Sequence, residues 1–259
     1  CAFGHRDIYQ KVSPGAKLDT ASYLLIDGSA SMMSDLGSKN LLAFAKKDEP
    51  TRIDKAAEFA FAYGEACQSV QGEFELAMYG SDAINGRTIE GEQAKNETCS
   101  RYEPIIYRAI KLYGESWAKT KHRCGVMVRG SCFDSNTPSY DALLIALRRV
   151  WARKESRRIL FWLTDGAPTL GFMGYCGDDS ACNLRRIRAS QPASTELHLL
   201  HCPNNAKHKI AIINLFKEAK RHNIEVVGIG LGNVRLSDYG IAWEAIASTE
   251  DIADKSVKL

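Results

Sequence analysis

Short apolar runs that end close to a glycine or an acidic residue recur along the chain. Tyr23–Ile26, Ile159–Leu163 and Ile224–Ile229 are runs of this kind. Such runs are typical of central strands that are buried on both faces of a sheet. Glu73–Tyr79 predicts a further strand, and Ala83–Ile89 predicts a short edge strand beside it.

Between these runs, apolar residues recur every three or four positions, which is the spacing that puts them on one face of a helix. Thr51 has the right residue type and place to cap the first such helix at its N-terminus. Further helices are predicted over Pro104–Lys119, Ser139–Arg153 and Lys209–His222, and a short one near 241–248. The polar stretch 34–50 is predicted to be a loop, 90–100 is a polar stretch, and a loop that carries cysteines is predicted at about 120–138.

The alternation of apolar strands with helices predicts the fold class. We expect an α/β protein with a Rossmann-like, doubly wound, mostly parallel sheet that is flanked by helices on both faces. A chain of 259 residues is long enough for one large domain. We place an irregular lead-in at 1–22 and the domain at 23–259, with an irregular insertion at about 169–205.

Composition and net charge limit the kinds of partner and the cellular compartment to be expected. A formal net charge of +3 is too small to indicate nucleic-acid binding. No stretch approaches the roughly 18 apolar residues of a membrane span, and the first residues lack the apolar core of a secretory signal. The eight cysteines are therefore expected to be reduced thiols, and the expected location is cytoplasmic.

The first apolar run is followed directly by side chains that can bind a metal ion. Asp27, Ser29 and Ser31 stand at alternate positions, and Gly28 allows the chain to turn tightly after the strand. One carboxylate and two hydroxyls are hard oxygen ligands of the kind that Mg²⁺ accepts when it keeps some of its water. From these residues alone, a polar turn with a serine capping the next helix is an equal alternative.

Two further residues favour the metal site. Asp165 follows the Ile159–Leu163 run, and Thr137 lies just before the helix predicted to begin at Ser139. In a doubly wound sheet, ligands bind beyond the carboxyl ends of the strands, where the strand order reverses. We therefore expect one small cation, Mg²⁺ or Mn²⁺, to be surrounded by Asp27, Ser29, Ser31, Thr137 and Asp165, with a coordination position left open.

This pattern resembles that of a known family. Asp27-x-Ser29-x-Ser31, the threonine at 137 before a helix and Thr164-Asp165-Gly166 resemble the metal-ion-dependent adhesion site (MIDAS) of von Willebrand factor type A (vWA) domains. The resemblance implies a Rossmann-like fold. It also implies that binding to a partner depends on a divalent metal, with an acidic side chain of the partner at the open position.

Within that family, the chain most resembles the C-terminal domain of CobT subunits of aerobic cobaltochelatase. The likeness lies in LLIDGSASM, RYEPIIYRAI, GVMVRG, DALLIALRRV, RRILFWLTDGAP and IEVVGIGLG. It implies a subunit that is not catalytic alone and works with a MoxR- or CobS-like AAA+ ATPase to insert a metal into a corrin ring in cobalamin biosynthesis. A free-standing adhesion or scaffold module is the alternative.

Three other kinds of chemistry have weaker support in the sequence. One group of cysteines and histidines lacks the paired spacing of a zinc knuckle. We therefore expect ordinary thiols and surface histidines, with structural zinc as the alternative. The group consists of Cys176, Cys182, His198, His201, Cys202 and His208. No phosphate-binding G-x-x-x-x-G-K-[ST] loop occurs. Neither Ser29 nor Ser31 has the flanking glycines of a hydrolase nucleophile, so no residue is assigned a catalytic role.

Overall fold

The strands that the structure describes form one six-stranded sheet. The computed structural model describes residues 19–34, 50–81, 105–127, 137–166, 205–232, 234 and 236–246. Within these residues the strands are β1 (Thr20–Asp27), β2 (Glu73–Ser81), β3 (Ile105–Lys111), β4 (Arg157–Thr164), β5 (Ile224–Leu231) and β6 (Ala242–Ile246).

The strand order is β3-β2-β1-β4-β5-β6, and every neighbouring pair is parallel except β2 with β3. The chain moves outward from β1 to β3 and then returns to the other side of β1 with β4. The order therefore reverses between β1 and β4, which is where doubly wound sheets bind ligands. The predicted fold class, an α/β protein with a mostly parallel, doubly wound sheet, is confirmed.

Helices cover both faces of the sheet. On one face α1 (Arg52–Ser69) and the short α2 (Trp117–Thr120) pack against β1, β2 and β4, with Leu24 and Ile26 of β1 in that core. On the other face α3 (Ser139–Trp151) and α4 (Asn205–Arg221) pack against Tyr23 and Leu25 of β1. Neighbouring residues of β1 thus serve opposite cores, as expected for a strand buried on both faces.

The predicted cap of α1 is confirmed in detail. The Thr51 hydroxyl accepts a hydrogen bond from the Asp54 N–H at 3.2 Å, and the Asp54 carboxylate accepts one from the Thr51 N–H at 2.9 Å. This reciprocal capping box satisfies two N–H groups that the first helical turn leaves unpaired. The start of α1 is therefore fixed by its own sequence.

The helix predicted over Pro104–Lys119 is wrong. Residues Ile105–Lys111 form the edge strand β3, which runs antiparallel to β2, and the short α2 begins only at Trp117. The pairing of β2 with β3 has a register shift, and Ile110 and Lys111 are buried in succession. The shift breaks the alternation of buried and exposed positions that usually identifies a strand.

The short helix predicted near 241–248 is also wrong, since Ala242–Ile246 form the edge strand β6 beside β5. Alanine and glutamate favour helices, but pairing with β5 outweighs that weak preference. The opening strand is longer than predicted and begins at Thr20.

Some predictions lie outside the described residues. These are the edge strand at 83–89, the stretch at 90–100, all but the last residue of the insertion at about 169–205 and most of the loop at 34–50. None of the helices that the structure describes is both long and apolar enough to cross a bilayer.

Candidate functional site

Two carboxylates lie side by side at the point where the strand order reverses. Asp27 is the last residue of β1, and Asp165 follows the last residue of β4, the strand that pairs with β1. Both side chains are almost completely buried. Two buried acids on neighbouring strand ends repel each other, so the surrounding residues must compensate their charge.

The turn after β1 brings two serines to these acids. The Gly28 N–H donates to the Tyr79 carbonyl at 2.7 Å, and a Cβ at position 28 would lie 2.8 Å from Cγ of Met78. Only glycine lets the chain pass this close to β2 without displacing a neighbour. A 3₁₀ helix over Ala30–Met33 then begins, and the Ser29 N–H donates to Oδ1 of Asp27 at 2.9 Å.

The serine hydroxyls connect the two strand ends. Oγ of Ser29 lies 3.1 Å from Oγ of Ser31, and the Ser31 hydroxyl donates to Oδ1 of Asp165 at 2.9 Å. Four of the five residues that the sequence singled out, Asp27, Ser29, Ser31 and Asp165, are thus joined in one hydrogen-bonded cluster. The alternative prediction, in which Ser29 or Ser31 caps the next helix, is wrong: Ser29 stands at the N-cap position of the 3₁₀ helix without a side-chain cap bond, and α1 is capped by Thr51.

Asp27 is held on both of its oxygens. Oδ1 accepts from the Ser29 N–H, and Oδ2 accepts from the Thr164 hydroxyl at 2.7 Å. These donors lower the pKa of the Asp27 carboxyl, but burial raises it, and the neighbouring charge of Asp165 raises it further. The net effect is a pKa above the ordinary value for aspartate. Burial and the charge of Asp165 thus disfavour the ionised form of Asp27.

The start of α3 is attached to the same rim of the sheet. Thr137 is buried two residues before α3, and its carbonyl accepts from the Ser139 N–H at 2.9 Å. The Ser139 hydroxyl lies 3.0 Å from the hydroxyl of Tyr79, which is the register partner of Asp27 on β2. This contact places the segment that carries Thr137 near the carboxyl ends of β1 and β2.

Tyr79 is a residue of this region that the sequence did not single out. Its hydroxyl accepts from Nε1 of Trp162 at 3.0 Å and contacts Ser139, so it ties β2, β4 and α3 together. Burial holds the pKa of this hydroxyl well above its ordinary value, so Tyr79 stays neutral. Nothing in the sequence distinguishes it from other apolar positions of β2.

Arg52 is the second residue that the sequence missed, and it carries a charge. Its Nη1 lies 2.7 Å from Oδ2 of Asp165, and only 2% of its side chain is exposed. One signal could have found it: Arg52 is the first residue of α1, where the helix macrodipole disfavours a cation. An arginine in this place therefore needs an acidic partner, which is Asp165.

The donor set fits a hard divalent cation. Asp27, Asp165, Ser29 and Ser31 offer carboxylate and hydroxyl oxygens, the ligands that Mg²⁺ and Mn²⁺ prefer. Among the described residues, the two buried carboxylates and the buried guanidinium of Arg52 sum to one negative charge. Burial and the charge of Asp165 raise the pKa of Asp27, and a positive charge beside the carboxylate would counteract both effects. The residues present therefore fit such an ion.

A zinc-type cluster does not occur in the described residues. Among them, no three or more histidine, cysteine, aspartate or glutamate side chains are arranged to hold a metal. Cys124 is a buried free thiol. The side chains of the predicted zinc alternative, Cys176, Cys182, His198, His201, Cys202 and His208, lie outside the described part of the chain.

Comparison with known proteins supports the fold. No protein-family model matches the chain, and no curated protein is detectably similar to it in sequence. Among solved structures, the PilB minor pilin from Streptococcus sanguinis is similar, with a TM-score of 0.59 and 14% identity over 94% of this chain. This chain spans 61% of the length of that pilin structure.

A solved vWA domain is also similar. The SpRpn10 VWA domain matches with a TM-score of 0.50 and 12% identity, covering 91% of this chain and 94% of that one. The BatB protein from Bacteroides thetaiotaomicron matches with a TM-score of 0.50 and 11% identity, covering 92% and 96%. At these identities the likeness establishes the fold alone, which is a vWA-like α/β arrangement.

Proposed function

We propose that this chain is a vWA module that binds a divalent ion, Mg²⁺ or Mn²⁺, and uses it to bind a carboxylate of a partner protein. The ligands would be Asp27, Ser29, Ser31, Thr137 and Asp165. The observation that carries the proposal is the hydrogen-bonded cluster that joins Asp27, Ser29, Ser31 and Asp165 across the strand-order reversal. Its order along the chain is that of the adhesion-site motif of vWA domains.

The composition of the ligand set supports binding of an acidic group. Two carboxylates and three hydroxyls supply five ligand groups, whereas an octahedral ion takes six, so the ion would keep an open position. Arg52 adds a positive charge beside Asp165. Once an ion is bound, the site carries a net positive charge, and an incoming carboxylate neutralises it.

The partner that the sequence favours is an AAA+ ATPase of MoxR or CobS type. This part of the proposal rests on the CobT-like segments, among them LLIDGSASM and RRILFWLTDGAP, which lie in β1 and β4. In that function the chain is a non-catalytic subunit of a cobaltochelatase-like complex, and ATP hydrolysis belongs to the partner.

A free-standing adhesion or scaffold module is the second candidate. The observation that favours it is the similarity of fold to a minor pilin and to the pilus adhesin SpaC from Lactobacillus rhamnosus GG, which matches with a TM-score of 0.55 and 14% identity. The candidates differ in partner. A pull-down with this chain as bait distinguishes them. If an AAA+ protein is recovered, and is lost when EDTA removes divalent ions, the result favours the first candidate and contradicts the second.

Calorimetric titration with Mg²⁺ and Mn²⁺ tests the ion site itself. We expect one ion per chain for the unsubstituted protein, and no binding at this site for Asp27→Asn. Asp238→Asn is the matched control, because Asp238 is an exposed carboxylate that pairs with Lys209 far along the chain from the cluster. Equal ion affinity in the unsubstituted protein and Asp27→Asn would overturn the proposal.

A further inference from the structure

One oxygen of Asp165 belongs to the hydroxyl chain and the other to a cation of the protein itself. Oδ1 accepts from the Ser31 hydroxyl at 2.9 Å, and Oδ2 lies 2.7 Å from Nη1 of Arg52. Both charged side chains are almost completely buried. Asp165 is therefore shared between the candidate ion site and a guanidinium group.

Arg52 is held in this place by the start of α1. The backbone N–H of Arg52 donates to the Ser34 carbonyl at 3.0 Å, and the capping box of Thr51 and Asp54 fixes the first turn of the helix. The Ser34 N–H in turn donates to the Ser31 carbonyl at 3.0 Å. The arginine thus stands on a backbone segment that is bonded to the serine turn of the site. A buried charge in such a place is costly unless it is paired.

We propose that Arg52 acts as a built-in counter-cation that sets the ion affinity of this site and makes ion binding depend on an anionic ligand. The inference rests on the proposed function, because it assumes that the cluster holds a divalent ion. Arg52 and the ion compete for the charge of Asp165. The ion therefore binds weakly to the free protein and tightly when a carboxylate is present.

The charges of the site give the reason. Among the charged residues that the structure describes at the site, Asp27, Asp165 and Arg52 together carry one negative charge, so a divalent ion brings their sum to one positive charge. A buried uncompensated charge is unfavourable, and a carboxylate removes it. Without Arg52 the two aspartates alone neutralise the ion. Arg52→Gln should therefore bind the ion more tightly and no longer gain from a carboxylate.

The experiment measures Mn²⁺ affinity by electron paramagnetic resonance, with and without acetate as the carboxylate probe. In the absence of acetate, Arg52→Gln should bind Mn²⁺ about tenfold more tightly than the unsubstituted protein, because one unit charge nearby has been removed. Acetate should tighten binding to the unsubstituted protein and leave Arg52→Gln unchanged. Arg52→Lys, which keeps the charge, should restore the weak, acetate-dependent binding.

Unfolding by urea provides a second measurement. Arg52→Gln leaves Asp165 without its cation, so this variant should be less stable than the unsubstituted protein in EDTA and should gain more stability from Mn²⁺. A variant that stays unfolded in Mn²⁺ would overturn the inference, since Arg52 would then be needed for folding alone.

The two proposals fail in different ways. If Asp27→Asn weakens Mn²⁺ binding neither in the otherwise unsubstituted protein nor in Arg52→Gln, the proposed ion site itself is wrong. If Asp27→Asn abolishes binding but Arg52→Gln leaves both the affinity and the effect of acetate unchanged, the ion site stands and the role of Arg52 is wrong. Weaker binding by Arg52→Gln would also overturn the role, because it would show that Arg52 only orients Asp165.

Discussion

Replacing Thr164 by valine removes one hydroxyl and nearly preserves the shape of the side chain. Thr164 is completely buried, and its hydroxyl donates to Oδ2 of Asp27 at 2.7 Å. The hydroxyl oxygen of Thr164 also accepts a weaker hydrogen bond from the Gly166 N–H at 3.3 Å. The substitution therefore leaves a buried carboxylate with one donor fewer, and it leaves no cavity that would complicate the comparison.

The expected loss follows from the charge of the acceptor. A hydrogen bond to a charged group contributes about 1.5–3 kcal/mol to stability, whereas one to a neutral group contributes about 0.5–1.5 kcal/mol. In EDTA, Thr164→Val should therefore lower the free energy of unfolding by about 1.5–3 kcal/mol. Urea titration followed by circular dichroism measures it, and an unchanged slope against urea shows that the unfolded state is not altered.

Thr120→Val is the matched control. Thr120 is also buried, but its hydroxyl donates to the neutral carbonyl of Ser116 at 3.0 Å. We expect the free energy of unfolding of this variant to be lower by about 0.5–1.5 kcal/mol. Equal losses for the two valine variants would refute the reasoning, because they would show that Asp27 gains no more from its hydroxyl donor than a backbone carbonyl does.

Two further predictions test the packing of the sheet and its helices. Gly64→Ala should lower the free energy of unfolding by about 2 kcal/mol in urea titration, because a Cβ there would overlap the buried ring of Trp117; Gly125→Ala, with open space at its Cβ, should change it little. Arg149 and Glu75 form an ion pair. Arg149→Met should lower the free energy of unfolding by about 3 kcal/mol, because it leaves the fully buried Glu75 without its cation. Glu75→Gln should lower it less, because the side chain of Arg149 is 43% exposed to water. The reverse order of losses would contradict this account of the ion pair.

Much of the candidate site could be predicted from the sequence because its position is set by strand ends. The runs before Asp27 and Asp165 are apolar enough to identify central strands, and each run stops at its acid. Once the sheet is doubly wound, the two ends must lie at one edge. The hydrogen bonds from Ser29 and Ser31 then follow from a turn of a few residues.

Arg52 could not be placed in the same way. Its contact with Asp165 joins residues 113 positions apart, and the apolar pattern of α1 does not show which way its first side chain points. The edge strands were missed for a related reason. β3 and β6 owe their conformation to pairing with β2 and β5, and the local sequence of each resembles a helix.

Locating the ion directly tests the central claim. Crystals of the protein grown with Mn²⁺ should show one anomalous scattering peak at the cluster of Asp27, Ser29, Ser31 and Asp165, about 2.1 Å from each side-chain oxygen that binds the ion directly. Crystals of Asp27→Asn grown in the same way should lack that peak. A peak elsewhere on the chain, with none at the ends of β1 and β4, would contradict the proposal that this cluster is an ion-dependent binding site.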